Sequence, residues 1–268
     1  EMVQKVKKLI SDTRDLGRME SELKMAQTVQ QTLFPKADAE FDSISVNSYC
    51  EPCSECGGDF WFYEKIGENL YLGLGDATGH GASAALITSA ARAAISVILR
   101  NGVSEPKDIL TLLNTAIYDT AKGKITMTFF LMRIHLPTSE MVYVNAAHEP
   151  PLFVKNPSPT MRKKDLDVLS EGATHALGRD ESAEFEQHSL LLEAGDLITV
   201  FSDGIYDVVN PEGVAWGEGN FTRAFIDGLK SSRMTKVCLN KMTDTMNKFR
   251  QNSGLVDDVT LVMIKKNR

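Results

Sequence analysis

Between Val3 and Phe34 the chain has neither proline nor a turn cluster, and Leu9, Leu16 and Leu23 recur every seven residues. Met19, Ala26 and Leu33 form a second series offset by three, so the stretch reads as a heptad seam, flawed at Gly17 and with Asp12 and Gln30 on seam positions. At about 1.5 Å per residue such a helix would reach roughly 50 Å, more than a compact domain needs for its own packing. The pattern therefore predicts a coiled-coil linker over 1–34 that joins two copies, ahead of an amphipathic helix lying on its own domain. Pro35 ends it, and a single domain is expected over 35–268.

Beyond Pro35 the periodicity shortens. Ser43 to Tyr49, Phe60 to Ile66 and Leu70 to Leu74 alternate or cluster apolar residues between Gly, Asn and Pro, as strands do. Two helices are predicted next, Ala82 to Arg100 and Glu105 to Ala121, the second with Pro106 in its first turn. Met127 to Leu136 and Met141 to Ala146 then form a hairpin about Pro137-Thr138-Ser139. Further strands are expected near Leu152 to Val154, Asp167 to Leu169, Phe185 to Leu192 and Asp196 to Phe201. A second helix pair, Phe221 to Leu229 and Thr235 to Gln251, precedes a closing strand from Val259 to Ile264. Strand runs alternating with helix pairs predict an α+β layered domain with antiparallel sheets, not a βαβ nucleotide fold.

Charge narrows the partners. Thirty-six acids against 29 bases leave −7, which argues against an unselective grip on nucleic acid or anionic membrane. Residues 1–34 hold six bases and five acids, so the remainder carries −8. The longest apolar stretch, Ala84 to Leu99, is interrupted by Thr88, Ser89, Arg92 and Ser96 and looks too short to cross a bilayer. With Glu1 first and no signal-peptide pattern, the chain reads as a cytoplasmic fragment of a longer protein, with room for an upstream sensor or membrane segment. Cys50, Cys53 and Cys56 recur every third residue, but a zinc or iron–sulfur site would want a fourth ligand and only distant Cys238 remains. Small apolar side chains in a reducing cytosol are the favoured reading.

Four acidic positions share a setting at predicted strand edges. Asp59 lies in Gly57-Gly58-Asp59-Phe60, Asp76 in Gly75-Asp76-Ala77-Thr78-Gly79-His80-Gly81, Asp203 in Phe201-Ser202-Asp203-Gly204, and Asp257-Asp258 precede the last strand. Strand ends can aim side chains into one cleft, and glycine allows close approach. Carboxylates without His or Cys beside them suit hard cations such as Mg²⁺ and Mn²⁺. A pair of such ions about 4 Å apart can activate one bridging water.

Together with Asn145-Ala146-Ala147-His148-Glu149-Pro150-Pro151 and Asp257-Asp258-Val259-Thr260, these segments resemble, in content and order, the SpoIIE/RsbU-type branch of the metal-dependent PPM serine/threonine phosphatases. The likeness runs from about Met19 to Ile264, because Met25 to Pro35 is similar to the helix that leads into such domains. The resemblance implies an αββα sandwich of two antiparallel sheets flanked by helix pairs, with two Mn²⁺ or Mg²⁺ ions at one end. Position by position it implies that Asp76 bridges both ions and the Ala77 carbonyl binds the second. Asp203 and Asp257 hold the first, Asp258 is a further candidate, and Asp59 acts largely through water. The implied reaction is single-step attack of a metal-bridging water on phosphoserine or phosphothreonine of a partner protein. Phosphorylated anti-anti-sigma-factor-like (STAS) domains are the substrate class so implied, under control of an upstream sensor or regulator through the N-terminal helix.

Three positions depart from the family pattern: Ala147 stands where glycine is usual, and Cys53 and Cys56 where small or aliphatic residues are. Cys56, three residues before Asp59, is a candidate for making activity sensitive to oxidation, beside the plainer reading of a small apolar side chain. His80 is a candidate acid for the leaving serine oxygen, or else a cap or packing residue; His148 is expected to be structural. The alternative function is a pseudo-phosphatase that binds without turnover, against which the full set of acids weighs. A diguanylate cyclase would need Glu between Asp59 and Phe60 and a βαβ setting, and both are missing.

Overall fold

The computed structural model describes residues 2–79, 81–172 and 175–267; within the first helix it describes side chains at 4, 5, 14, 17, 18 and from 21 onward. That helix, α1, spans Met2–Gln31. A hairpin of β1 (Asp38–Phe41) and β2 (Ile44–Glu51) follows, then a second of β3 (Asp59–Ile66) and β4 (Asn69–Ala77). Helices α2 (Ala82–Arg100) and α3 (Pro106–Ala121) lead into β5 (Met127–His135), β6 (Glu140–Ala146), β7 (Leu152–Val154) and β8 (Asp167–Val168). The chain continues with β9 (Gln187–Leu191), β10 (Leu197–Phe201), the one-turn α4 (Gly204–Asp207), α5 (Gly217–Ser231), α6 (Thr235–Arg250) and β11 (Val259–Lys266).

Among the described residues all strand pairings are antiparallel. They make one sheet in the order β1-β2-β11-β10-β7-β8 and another in the order β3-β4-β5-β6-β9. Sequence alternation decides which layer each strand face joins. On β11, Leu261 and Met263 pack with Phe221, Phe225 and Met242 of α5 and α6, whereas Val262 and Ile264 point into the space between the sheets. Both faces are thus covered, which is why this strand reads as an unbroken apolar run. Trp61, Leu72, Phe130 and Met132 fill the same inter-sheet layer from the other side, and Phe129 and Val144 turn outward to Ile87, Ile95 and Leu113 of α2 and α3. Each fully buried large side chain contributes roughly 2–3 kcal/mol of transfer free energy, so the three layers supply most of the drive to fold.

The α+β sandwich follows the sequence pattern, with local differences. Strand β7 falls where the sequence predicts it, β8 ends one residue early and β2 runs two residues further, whereas β1, whose four residues alternate between exposed and half-buried, has no counterpart among the predicted strands. Phe185 leaves the strand predicted from Phe185 to Leu192 to pack in the helix-covered layer, so β9 begins at Gln187. Helix α2 is longer than the apolar run read from sequence and meets the length and hydropathy of a bilayer span. Its face of Ala84, Ile87, Ala91, Ile95 and Leu99 is spent on the core. Every described side chain of α1 before Leu23 is exposed. Of the heptad series, Leu9, Leu16 and Met19 fall outside the described side chains, Ala26 is exposed, and Leu23 and Leu33 are half-buried.

Candidate metal centre

One end of the sandwich gathers the acids. Asp59 opens β3 and Asp76 lies near the end of β4, and the two are register partners; on the far side of Asp76 the partner is Thr128 of β5. From the other sheet come Ser202 and Asp203, just past β10, and Asp257 and Asp258, just before β11. The sheets are tied together here through Asp59, which is 2% exposed. Its Oδ2 accepts hydrogen bonds from Ser202 Oγ at 2.7 Å and Thr260 Oγ1 at 2.6 Å. The Thr260 N–H in turn donates to Ser202 Oγ at 3.0 Å, so each donor is itself fixed.

Asp258 organises the loop ahead of β3. Its Oδ1 accepts the Cys53 N–H at 2.7 Å, and its Oδ2 accepts those of Gly58 at 2.5 Å and Asp59 at 3.2 Å. Gly58 in turn sits against Ala77: a Cβ there would come within 2.8 Å of the Ala77 carbonyl oxygen, so only glycine fits without moving that carbonyl. Asp257 Oδ1 accepts the Asp258 N–H at 2.8 Å, leaving its other oxygen free of protein hydrogen bonds among the described residues.

The field is set by burial and like charge. Burial, then the nearby Asp203, Asp257 and Asp258, pushes Asp76 up to about 7. Asp59 is raised well above the carboxylate range by burial and by Asp76, against the hydroxyls of Thr260 and Ser202. Asp203 is raised by burial and by Asp207, and Asp257 by burial, with Asp258, Asp203 and Asp207 adding to it. Among the described residues no Lys, Arg or His forms an ion pair with Asp76, Asp203, Asp257 or Asp258. An oxygen-rich, anionic, uncompensated cluster is the donor set that hard divalent cations require, so the residues fit such ions.

The structure thus brings Asp59, Asp76, Ala77, Asp203, Asp257 and Asp258 to one end; His80 lies outside the described residues. His148 is buried and held by its backbone N–H to Asn145 Oδ1 at 2.7 Å and its Nδ1 to Thr128 Oγ1 at 2.9 Å. Burial pushes its pKa down to about 3, so it stays neutral and acts as a strut beside Asp76. Ala147 adopts φ 56°, a left-handed conformation that explains why glycine is usual there. Two acids of the rim were not singled out in the sequence. Asp207 sits one helical turn from Asp203, an i,i+4 spacing that carries the signal. Glu149, raised by burial and by Asp203, belongs to the motif read for His148.

A sandwich of this topology with carboxylates converging at one end defines the class of metal-dependent phosphatase domains. The family model described as Stage II sporulation protein E (SpoIIE) matches residues 67–267. The chain belongs to the SpoIIE family and is a PPM-type protein phosphatase domain. It is 25% identical over 249 residues to phosphoserine phosphatase RsbU of Bacillus subtilis (strain 168), covering 92% of this chain and 71% of that one. With phosphoserine phosphatase RsbP of the same organism it shares 26% over 190 residues, 69% of this chain and 45% of RsbP. The fold matches the SiaA-PP2C domain of Pseudomonas aeruginosa with a TM-score of 0.76 at 20% identity, covering 94% of this chain and 98% of that domain.

Proposed function

We propose that the chain hydrolyses phosphoserine or phosphothreonine on a partner protein, using two Mn²⁺ or Mg²⁺ ions. Asp76 and the Ala77 carbonyl, Asp203 and Asp257 would hold them, and Asp59 would act through water. The observation that carries this reading is the meeting of Asp59 and Asp76 from one sheet with Asp203 and Asp257 from the other, in a field that pushes Asp76 to about 7. When bound, such ions lower the pKa of a water and neutralise phosphoryl charge, which supports in-line displacement of the serine or threonine oxygen in one step. The chain's own residues preorganise that chemistry. Ser202 and Thr260 orient Asp59, Asp258 fixes the backbone from Cys53 to Asp59, and Gly58 leaves room for the Ala77 carbonyl.

The test is turnover of a phosphoserine peptide. Activity should appear with Mn²⁺ and vanish in excess chelator; equal turnover in chelator rejects the reading. For the substrate we propose a phosphorylated STAS-like regulator of a partner-switching pathway, in line with the likeness to RsbU and RsbP. Four unpaired cysteines accord with a reducing, cytoplasmic setting.

Control through α1, residues 1–34 as a linker to the 35–268 domain, is part of the same proposal. Its support is a contact made by Gln30. This buried side chain donates from Nε2 to the Gly57 carbonyl at 2.7 Å and to Thr88 Oγ1 of α2 at 3.1 Å, and accepts the Gly57 N–H at 3.1 Å. The end of α1 is thereby pinned two residues from Asp59. Exposed Met25 and Val29 on the same helix accord with a second copy packing there. Gln30→Ala is expected to cost about 1–3 kcal/mol, because two buried Gly57 groups lose their partner, and to change basal turnover. Denaturant melts and initial rates check it; a variant unchanged in both would make α1 a tether only.

A further inference from the structure

The phosphatase reading uses none of the four cysteines, and the three that precede Asp59 are not equivalent. Cys56 is buried toward Leu23 of α1, its Sγ 3.8 Å from that carbonyl. Cys50 contacts Thr260 Oγ1 at 3.5 Å. Cys53 groups its sulfur with two acids of the cluster: its Sγ and one oxygen each of Asp257 and Asp258 lie within 4.8 Å of one another.

We propose that Cys53, Asp257 and Asp258 form a binding site for a thiophilic divalent cation of the Zn²⁺ or Cd²⁺ kind, on the flank of the proposed Mn²⁺/Mg²⁺ centre and sharing Asp257 with it. This rests on the proposed function for the role of Asp257, and adds to it a ligand that hard cations do not seek.

Three features support the site. The donor set mixes one sulfur with two carboxylates, and a soft thiolate among hard oxygens shifts preference away from Mg²⁺ and Mn²⁺ toward Zn²⁺ and its heavier congener. Zinc takes sulfur at about 2.3 Å and carboxylate oxygen at about 2.0–2.2 Å, so ligand atoms already this close need only a small inward movement, with a water completing the tetrahedron. The second feature is electrostatic: Asp257 and Asp258 have no ion-pair partner among the described residues, so nothing cationic competes for the place. Lastly, the hydrogen bond from the Cys53 N–H to Asp258 Oδ1 holds the residue beside the carboxylate that would share the ion.

The proton balance is simple. A free thiol carries its proton at neutral pH. Binding exchanges that proton for the cation, forms a metal–sulfur bond and releases one H⁺ to solvent, so affinity should rise with pH. A cation seated there would draw Asp257 from the catalytic pair, and Zn²⁺ should inhibit Mn²⁺-supported turnover.

The experiment is a Cd²⁺ titration of the metal-free protein, followed by the ultraviolet thiolate-to-cadmium charge-transfer band and repeated for Cys53→Ser, Asp257→Asn and Cys56→Ala. Wild type and Cys56→Ala should give the band with one equivalent. Cys53→Ser should lose it, and Asp257→Asn should bind at least about tenfold more weakly, since even an outer partner of a metal ligand is worth that much. No band in wild type, or a band surviving Cys53→Ser, overturns the proposal; circular dichroism of each variant separates misfolding from loss of the ligand. The band is read without substrate or Mn²⁺. A protein that shows it yet hydrolyses no phosphopeptide would overturn the proposed function and support this site.

Discussion

Asp76→Asn is expected to reduce Mn²⁺-dependent phosphatase turnover by more than about a hundredfold while making the metal-free protein more stable at pH 8. The loss of turnover follows from its place. Asp76 lies between Asp59 on its own sheet and the Asp203 and Asp257 of the other, and losing the direct ligand proposed for it should exceed the 10–100-fold typical of outer partners. The gain in stability follows from the field. Its folded pKa, pushed up to about 7 from the ordinary 3.8, means the native state holds a proton that the unfolded chain releases. Between about pH 4 and 7 the native state therefore binds more protons, and stability falls as pH rises through that window. The deficit is complete above about pH 7 and amounts to at most about 4 kcal/mol, which Asn would relieve.

His148 works in the opposite direction. Its folded pKa near 3 makes it a buried neutral imidazole, whose contribution is present above the unfolded value and is lost as pH falls. A wild-type melting curve alone mixes the two. The difference between wild type and Asp76→Asn isolates the carboxylate. In chelator the variant should melt higher at pH 8 and nearly alike at pH 4, and Mn²⁺ should reverse the order at pH 8 by stabilising wild type alone. A variant that melts lower than wild type in chelator at pH 8 would show that Asp76 is held by partners, not repelled by its neighbours.

Asp59, Asp76 and Asp203 were legible because glycines mark the strand edges beside them, Asp257 and Asp258 because they stand directly before an apolar strand, and all of them because a motif keeps its meaning wherever the chain carries it. What brings Asp59 to Ser202 and Thr260 is sheet stacking between residues 143 and 201 positions apart, and no local pattern encodes that distance. The part of Asp258 was hidden for a related reason: its partners are backbone N–H groups of the Cys53 to Asp59 loop, which have no sequence signature at all. Gln30 looked like a defect in a heptad seam. It is a polar residue on an apolar series because that turn of α1 faces the Gly57 backbone. Strand β1 escaped notice because four half-exposed residues make too short a period, and α4 because a single turn has no period.

Gly204→Ala should be the most damaging single-methyl change at this end of the molecule. Gly204 follows Asp203 at the first turn of α4, and a Cβ built on it would come within 2.2 Å of the Asp258 carbonyl oxygen and 3.2 Å of the Asp257 Cβ. The obstacle is backbone, part of the segment entering β11, and cannot rotate away as a side chain can. Relief requires the ends of β10 and β11 to part, yet the Ser202 N–H donates to the Thr260 carbonyl at 3.0 Å and Ser202 Oγ accepts the Thr260 N–H. Breaking that pairing also releases the two hydroxyls that hold Asp59. Overpacking of this kind costs about 3 kcal/mol, and each unpaired buried group adds to it. The expected result is a melting temperature lowered by many degrees and Mn²⁺ affinity weakened more than stability alone explains, since Asp203 and Asp257 move apart. Gly219→Ala is the control: that glycine lies within α5 with nothing within 4 Å of its added methyl, and should hold or gain up to about 1 kcal/mol. Calorimetric Mn²⁺ titration and thermal melts of both variants decide it, and a Gly204→Ala protein that binds Mn²⁺ like wild type would show that the strand ends yield without moving the acids.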